Sequence, residues 1–392
     1  MSGDILLDAT DELRKEIKRR GGAYGDLKDP LGDGNFFFAP MGEHLLSCLE
    51  FASKKICPGH NIKLRWMKDN RLNAFAYTAP DTPDSFIGIN IGALYTLHDL
   101  FMRMMCDGDF LPTIGNSALE TVESAGIRFL TTNLPSELEK FPAVLPKCEI
   151  RACYASYAFS VCMDFLLFHE VTHIANGHSR VIHELSGDRH ISENATPIQS
   201  EKHFLRQSLE KDADCGAIGW VFERMEFAAA HLKPVLKRIK DSPVSNPKFK
   251  NPKLLAMKNA LESPAEMVKL ASFVTYAFFR IFNWRDWDVF DRFKLSHPEP
   301  PIRQAILFSN IASRALRARE NGVAISDDDI FQMQAVEECV ARLLKLKVDP
   351  SGIVSVYKNS LYLEHLKKLD AAWSEIRPRL EALKLHDRPL EV

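Results

Sequence analysis

The feature that constrains this chain most is an apolar run carrying two histidines and a glutamate at fixed spacing, Phe168-His169-Glu170-Val171-Thr172-His173-Ile174-Ala175-Asn176-Gly177-His178. In a helix, His169 and His173 lie one turn apart on the same face, where two imidazoles can grip one metal ion. Residues 158–168 are apolar enough for a buried helix, and Gly177 is a suitable stop just past the second histidine. Two imidazoles and a carboxylate buried together are costly unless something satisfies all three, and a metal ion does so. The expected ion is Zn2+. Beside two histidines it has room for a third protein ligand and for a water whose proton Glu170 is placed to take.

The third ligand has to come from elsewhere. A continuation of the HxxGxxH kind requires glycine at 176 and histidine at 179, where this chain has Asn176 and Ser179. The alternative is a carboxylate on a following helix, and Glu210-Lys211-Asp212-Ala213-Asp214 offers one. Glu210 and Asp214 share a face one turn apart, and Ala213 is small enough for close helix contact. On this reading Glu210 binds the zinc, while Asp214 accepts a hydrogen bond from the far nitrogen of His169 and fixes its tautomer.

Composition narrows the setting. With 50 basic against 52 acidic side chains and a net charge of -2, no bulk charge draws this chain to nucleic acid or to an anionic membrane, and no nucleic-acid partner is expected. The eight cysteines include no CxxC pair, which points to reduced thiols rather than a cysteine-ligated zinc site or a disulfide framework. The N-terminus has an early Asp4 and no basic start followed by an apolar stretch, so a secretory leader is not expected. The longest apolar runs, 158–168 and 271–279, fall short of the roughly 18 residues that span a bilayer. The expectation is a cytoplasmic protein without an integral membrane segment.

Patterning along the chain gives an α+β fold, mainly helical. Helices are expected at 11–17, 42–55, 93–105, through the metal motif, at 203–232 and at 264–282. A last one follows the acidic cap Ser326-Asp327-Asp328-Asp329, with Ile330, Met333, Val336, Val340, Leu343 and Leu344 at helical spacing. Residues 62–67 and 72–77 read as two strands of a hairpin about a turn at 68–71, and residues 85–90 as a third strand. A polar loop is expected at 179–200, and a proline- and lysine-rich segment at 233–253 interrupts the helix before it. The expected organisation is a helical segment at 1–60, a metal-binding domain at 61–320 and a helical C-terminal extension at 321–392.

Four separated stretches then line up, in order, with one family: NAFA at 73–76, HEVTHIANGH from His169, ExxAD at 210–214 and SHPEPPIR at 296–303. Over roughly residues 60–310 they resemble the gluzincin-type zinc metallopeptidase family that includes the CAAX prenyl endopeptidase and its soluble bacterial relatives. The resemblance implies a zincin-like metallopeptidase domain with a small edge-exposed sheet, acting on a protein or peptide substrate. It implies that Asn73 stands on an edge strand beside the active site and helps hold an extended substrate by strand addition. It also implies that His297 approaches the metal to stabilise the oxyanion, with Arg303 holding the local structure through carboxylate contacts. The spanning helices of the membrane-embedded members have no counterpart here, so their substrate class does not carry over. A looser likeness, on the metal motif alone, is to the Lit-type phage-exclusion peptidases, which cut a single host protein.

The expected activity is therefore hydrolysis of peptide bonds by a zinc-bound water that Glu170 activates. Its rivals are a catalytically silent zinc domain acting in protein interaction and a latent protease whose cleft is covered by the extension or by the 179–200 loop. A structural zinc usually takes four protein ligands and has no use for Glu170.

Overall fold

A computed structural model describes residues 11–25, 27–28, 38–78, 84–120, 144–186, 190–192, 203–240, 251–282, 298, 300–323, 333–345, 348 and 359–386. In chain order its elements are α1 (Asp11–Arg19), α2 (Phe38–Lys55), β1 (Asn61–Met67), β2 (Ala74–Thr78), β3 (Asp84–Asn90), α3 (Ile91–Met105), α4 (Glu149–Ala175) and α5 (His178–Ser186). They continue with β4 (His190–Ser192), α6 (His203–Lys240), α7 (Pro252–Leu261), α8 (Pro264–Phe282), α9 (Pro300–Glu320), α10 (Met333–Leu344) and α11 (Ser360–Leu383). The fold is mainly helical with one small sheet.

The metal motif forms the last turns of α4, a 27-residue helix around which the other elements pack. It touches α2, α3, α6, α7 and α8 as well as β2 and β3. This is why its sequence is apolar on nearly every side rather than along one stripe. By length and composition α4 alone among the described helices is apolar enough to cross a membrane, and most of its apolar stretch is buried inside the protein. Its closest partner is α6. A Cβ added at Gly216 of α6 would lie 2.7 Å from Cγ2 of Thr172, inside the HEVTH motif, so the absence of a side chain there sets how near the two helices come.

The sheet differs from the expected hairpin. Its order is β1-β3-β2-β4, with β1 parallel to β3, and β2 antiparallel to both β3 and β4. β1 and β2 are therefore not partners. Their connection crosses the end of β3 instead of turning tightly: Asp69 O accepts from Gly92 N at 3.0 Å and Arg71 O from Asn90 Nδ2 at 3.2 Å. The crossing depends on Gly92, where a Cβ would fall 1.9 Å from Asn70 O. Burial agrees with this order, since β1 alternates between buried and partly exposed residues while β2 is buried throughout. The outer edge of β1 is partly covered by the chain itself, with Lys68 N donating to Gly22 O and Tyr24 N to Trp66 O, each at 2.9 Å.

One face of the sheet, with Trp66, Ala76, Ile87 and Ile89, looks into the main core. The other, with Met67, Phe75, Tyr77 and Phe86, is covered by Leu13 and Ile17 of α1. The main core is continuous through the segments divided above at residues 60 and 320: Leu45 of α2, Val336 of α10 and Leu369 of α11 belong to it along with α4 and α8. A second cluster joins Trp373, Ile376 and Leu380 of α11 to Val181 and Ile182 of α5 and Leu209 of α6. α6 also runs past the expected break and carries Pro234 to Lys240. That proline stands on an exposed surface, where water can bond the carbonyl it leaves without a partner.

Candidate metal centre

α4 presents His169 and His173 to α6, which returns Glu210 and Asp214 from the facing turn. Nε2 of His169 lies 3.0 Å from Nε2 of His173. Glu210 closes the triangle, with Oε2 3.2 Å from His169 Nε2 and Oε1 3.6 Å from His173 Nε2. All three residues are at most 2% exposed.

The surrounding polar contacts favour one assignment of the ring protons. Arg303 grips Asp214 with two bonds, Nε to Oδ2 at 2.8 Å and Nη2 to Oδ1 at 2.7 Å, while its guanidinium lies 4.6 Å from the ring centre of Phe279. Held this way Asp214 is an acceptor, and its Oδ1 stands 3.0 Å from Nδ1 of His169. A proton placed on Nδ1 of His169 faces this carboxylate and leaves Nε2 as a lone pair. A second relay serves His173. Oδ2 of Asp212 accepts from Asn176 Nδ2 at 2.5 Å and from His178 Nε2 at 3.1 Å. With its proton on Nε2, His178 offers a bare Nδ1, which lies 2.8 Å from Nδ1 of His173. His173 then donates from Nδ1 and also leaves Nε2 as a lone pair.

Two ring lone pairs and a carboxylate thus face one another in a place closed to bulk solvent. Protonation does not relieve the conflict, because burial, outweighing the pull of Glu210, pushes the His173 imidazole down to about 4. A dication does. Tetrahedral zinc, with ligands about 2.0–2.2 Å away, holds neighbouring nitrogen and oxygen donors about 3.3 Å apart, the middle of the range found here. The donor set, two neutral imidazoles and one carboxylate, fits a zinc-type ion with a position left for water.

Glu170 lies on the same turn as the histidines, is 1% exposed, and is near enough to the buried Arg20 for their charges to interact. Arg20 reaches this place from the end of α1, stacked 4.1 Å from the ring centre of Phe75 and bonded to Glu16 Oε1 at 2.6 Å. Asn73 is 2% exposed. It precedes β2, which is paired on both sides, and its Oδ1 is turned back onto Ala74 N at 3.0 Å while its carbonyl accepts from Asn90 N at 3.0 Å. β4 pairs with Phe75, Ala76 and Tyr77 of the strand that follows Asn73. His297 lies outside the described residues.

Three contributors went unread in the sequence: His178, Asp212 and Arg20. His178 and Asp212 each sit inside a recognised motif, so the signal was a further histidine and a further carboxylate beside the expected ligands. Arg20, distant in sequence, carries no such signal.

The C-terminal segment reaches the same centre. Leu385 N donates to Ala175 O at 2.7 Å, and His386 Nε2 lies 2.8 Å from Oδ1 of Asn176, the residue whose amide holds Asp212. No family model matches the chain, and no curated protein or solved structure is detectably similar to it.

Proposed function

We propose that this chain is a zinc-dependent endopeptidase of the gluzincin type, in which His169, His173 and Glu210 hold the metal. The observation that carries the reading is the triangle of lone-pair donors at 3.0–3.6 Å with Glu170 on the same turn of α4. A bound zinc would polarise the substrate carbonyl and acidify a water. Glu170 takes the proton of the attacking water and passes it to the leaving amine. Asp214, anchored by Arg303, and the pair His178 and Asp212 hold the two imidazoles in the tautomers that ligation needs. His297, in the HP motif of the resemblance, supports the oxyanion. The substrate is a protein or peptide. Eight free thiols suit the reducing cytoplasm as its setting.

A second reading, a latent form of the same enzyme, is favoured by one observation. His169, Glu170, His173 and Glu210 are all at most 2% exposed, so an extended peptide needs a rearrangement before it can reach them.

A whole-cell lysate treated with the intact protein and with Glu170→Gln tests both readings, with metal content measured in each. New peptide N-termini produced only by the intact protein, at equal zinc content, support the endopeptidase. Equal cleavage by the two proteins refutes it. Zinc bound without any cleavage selects the latent or silent form.

A further inference from the structure

We infer that a second metal site lies between α2 and α4, built from His44, Cys48 and Asp164, and that it takes a thiophilic divalent transition metal of the zinc type. His44 and Cys48 stand one turn apart on α2 and so present their side chains to the same neighbour. That neighbour is α4, where Asp164 is buried among apolar residues. Its Oδ1 lies 2.6 Å from His44 Nε2 and 3.0 Å from Cys48 Sγ, and the sulfur is 3.8 Å from the same imidazole nitrogen. Three different donor atoms from two helices therefore converge on one point.

Imidazole, thiolate and carboxylate are the three side-chain ligands that zinc accepts. Around a tetrahedral ion with Zn–S about 2.3 Å and Zn–N or Zn–O about 2.0 Å they stand about 3.3–3.6 Å apart. Reaching that arrangement requires His44 to move outward by less than about 1 Å relative to Asp164, by the same geometry. It has room, because its side chain is 28% exposed and forms the open side of the cluster. Without a metal, burial and Asp164 push the Cys48 thiol well above its ordinary range, so the sulfur binds as a thiolate only with the ion present.

The site is separate from the His169 centre. Asp164 precedes His169 by five residues, which places the two about 140° apart around α4 and about 7.5 Å apart along it. It is also the weaker of the two, because the guanidinium of Arg224 acts on both His44 and Cys48 and opposes a dication.

Cobalt(II) titrated into the metal-free protein tests this independently of any peptidase activity. The His169 centre offers only nitrogen and oxygen, so a thiolate-to-cobalt charge-transfer band can come only from a sulfur ligand. The expected result is two equivalents bound, with the band growing during the second. Cys48→Ser should abolish the band and one equivalent, and His44→Ala should weaken the second equivalent by at least about tenfold. Glu210→Ala, which disables the first centre, should retain the band. One equivalent without a band in the intact protein overturns the inference, as does a band that survives Cys48→Ser or a second equivalent unchanged in His44→Ala.

Discussion

Replacing His178 by phenylalanine tests whether a residue that touches no metal sets the affinity of the centre. The His178 ring is fully buried, and phenylalanine fills its volume while deleting both nitrogens. His173 then keeps its Nδ1 proton with no acceptor at 2.8 Å, or moves the proton to Nε2 and loses the lone pair that faces Glu210. The first outcome leaves a buried donor unsatisfied, at about 1–3 kcal/mol, and the second removes a ligand until the tautomer is restored. Both oppose metal binding and leave the apolar packing in place. Loss of an outer partner of this kind weakens metal affinity about 10–100-fold, or roughly 1.4–2.7 kcal/mol. Competition of the protein against a chromophoric chelator for zinc measures the change, and the melting temperature of the metal-free forms shows whether the variant is folded. His178→Gln, which retains a side-chain acceptor, should recover part of the loss. A folded His178→Phe protein with the zinc affinity of the parent would refute the relay.

Other expectations rest on single contacts. Arg303→Met strips the paired cation from Asp214 at a fully buried position, and should lower stability by about 3–5 kcal/mol in urea unfolding and reduce zinc affinity with it; an unchanged urea midpoint counts against the pairing. Gly216→Ala places a methyl group against the short side chain of Thr172, whose hydroxyl is already committed to Phe168 O at 2.7 Å, so α4 and α6 must separate at about 1–3 kcal/mol, read as a lower melting temperature and weaker zinc retention. His365 is pushed down to about 4 by burial and then by His203 and Lys368. The unfolded chain takes up this proton near pH 6.5 and the folded one only near 4, so stability is retained above pH 6.5 and is lost as pH falls toward 4, by about 2 kcal/mol between pH 7 and pH 5. Urea midpoints of the parent and of His365→Phe at those two values should diverge by that amount, and parallel behaviour would exclude His365 as the cause.

The helices could be read from the sequence because their chemistry and their periodicity coincide. HEVTH and ExxAD each need one turn of α-helix to bring two functional groups together, and each lies in a run whose apolar residues require a helix there. Pairing in the sheet had no such local determinant. Residues 62–67 and 72–77 have the patterns and the short separation of a hairpin, but the connection is held down by Gly92 and Asn90, whose part in it is tertiary. The charged alternates Lys63 and Arg65 on β1, against the fully buried β2, were the available sign that β1 stands at the rim. The relay through His178 and Asp212 escaped for a geometric reason. Asp212 is two residues from both Glu210 and Asp214, a spacing that points away from their face of α6, and it is reached only because the chain turns at Asn176 and Gly177 and carries His178 round to that side.

Charge explains why these residues belong together. Glu170, Glu210, Asp212 and Asp214 are all within 3% of complete burial, a density of carboxylates that water would normally be needed to support. Arg303 answers Asp214, the charge of Arg20 reaches Glu170, and Asp212 is served by the neutral donors of Asn176 and His178. Glu210 faces two lone pairs. Among the described residues Arg20 also answers the buried Glu16, so carboxylates outnumber guanidiniums here, and Glu210 is the one that faces the converging imidazole nitrogens. A metal cation held there would meet that negative charge.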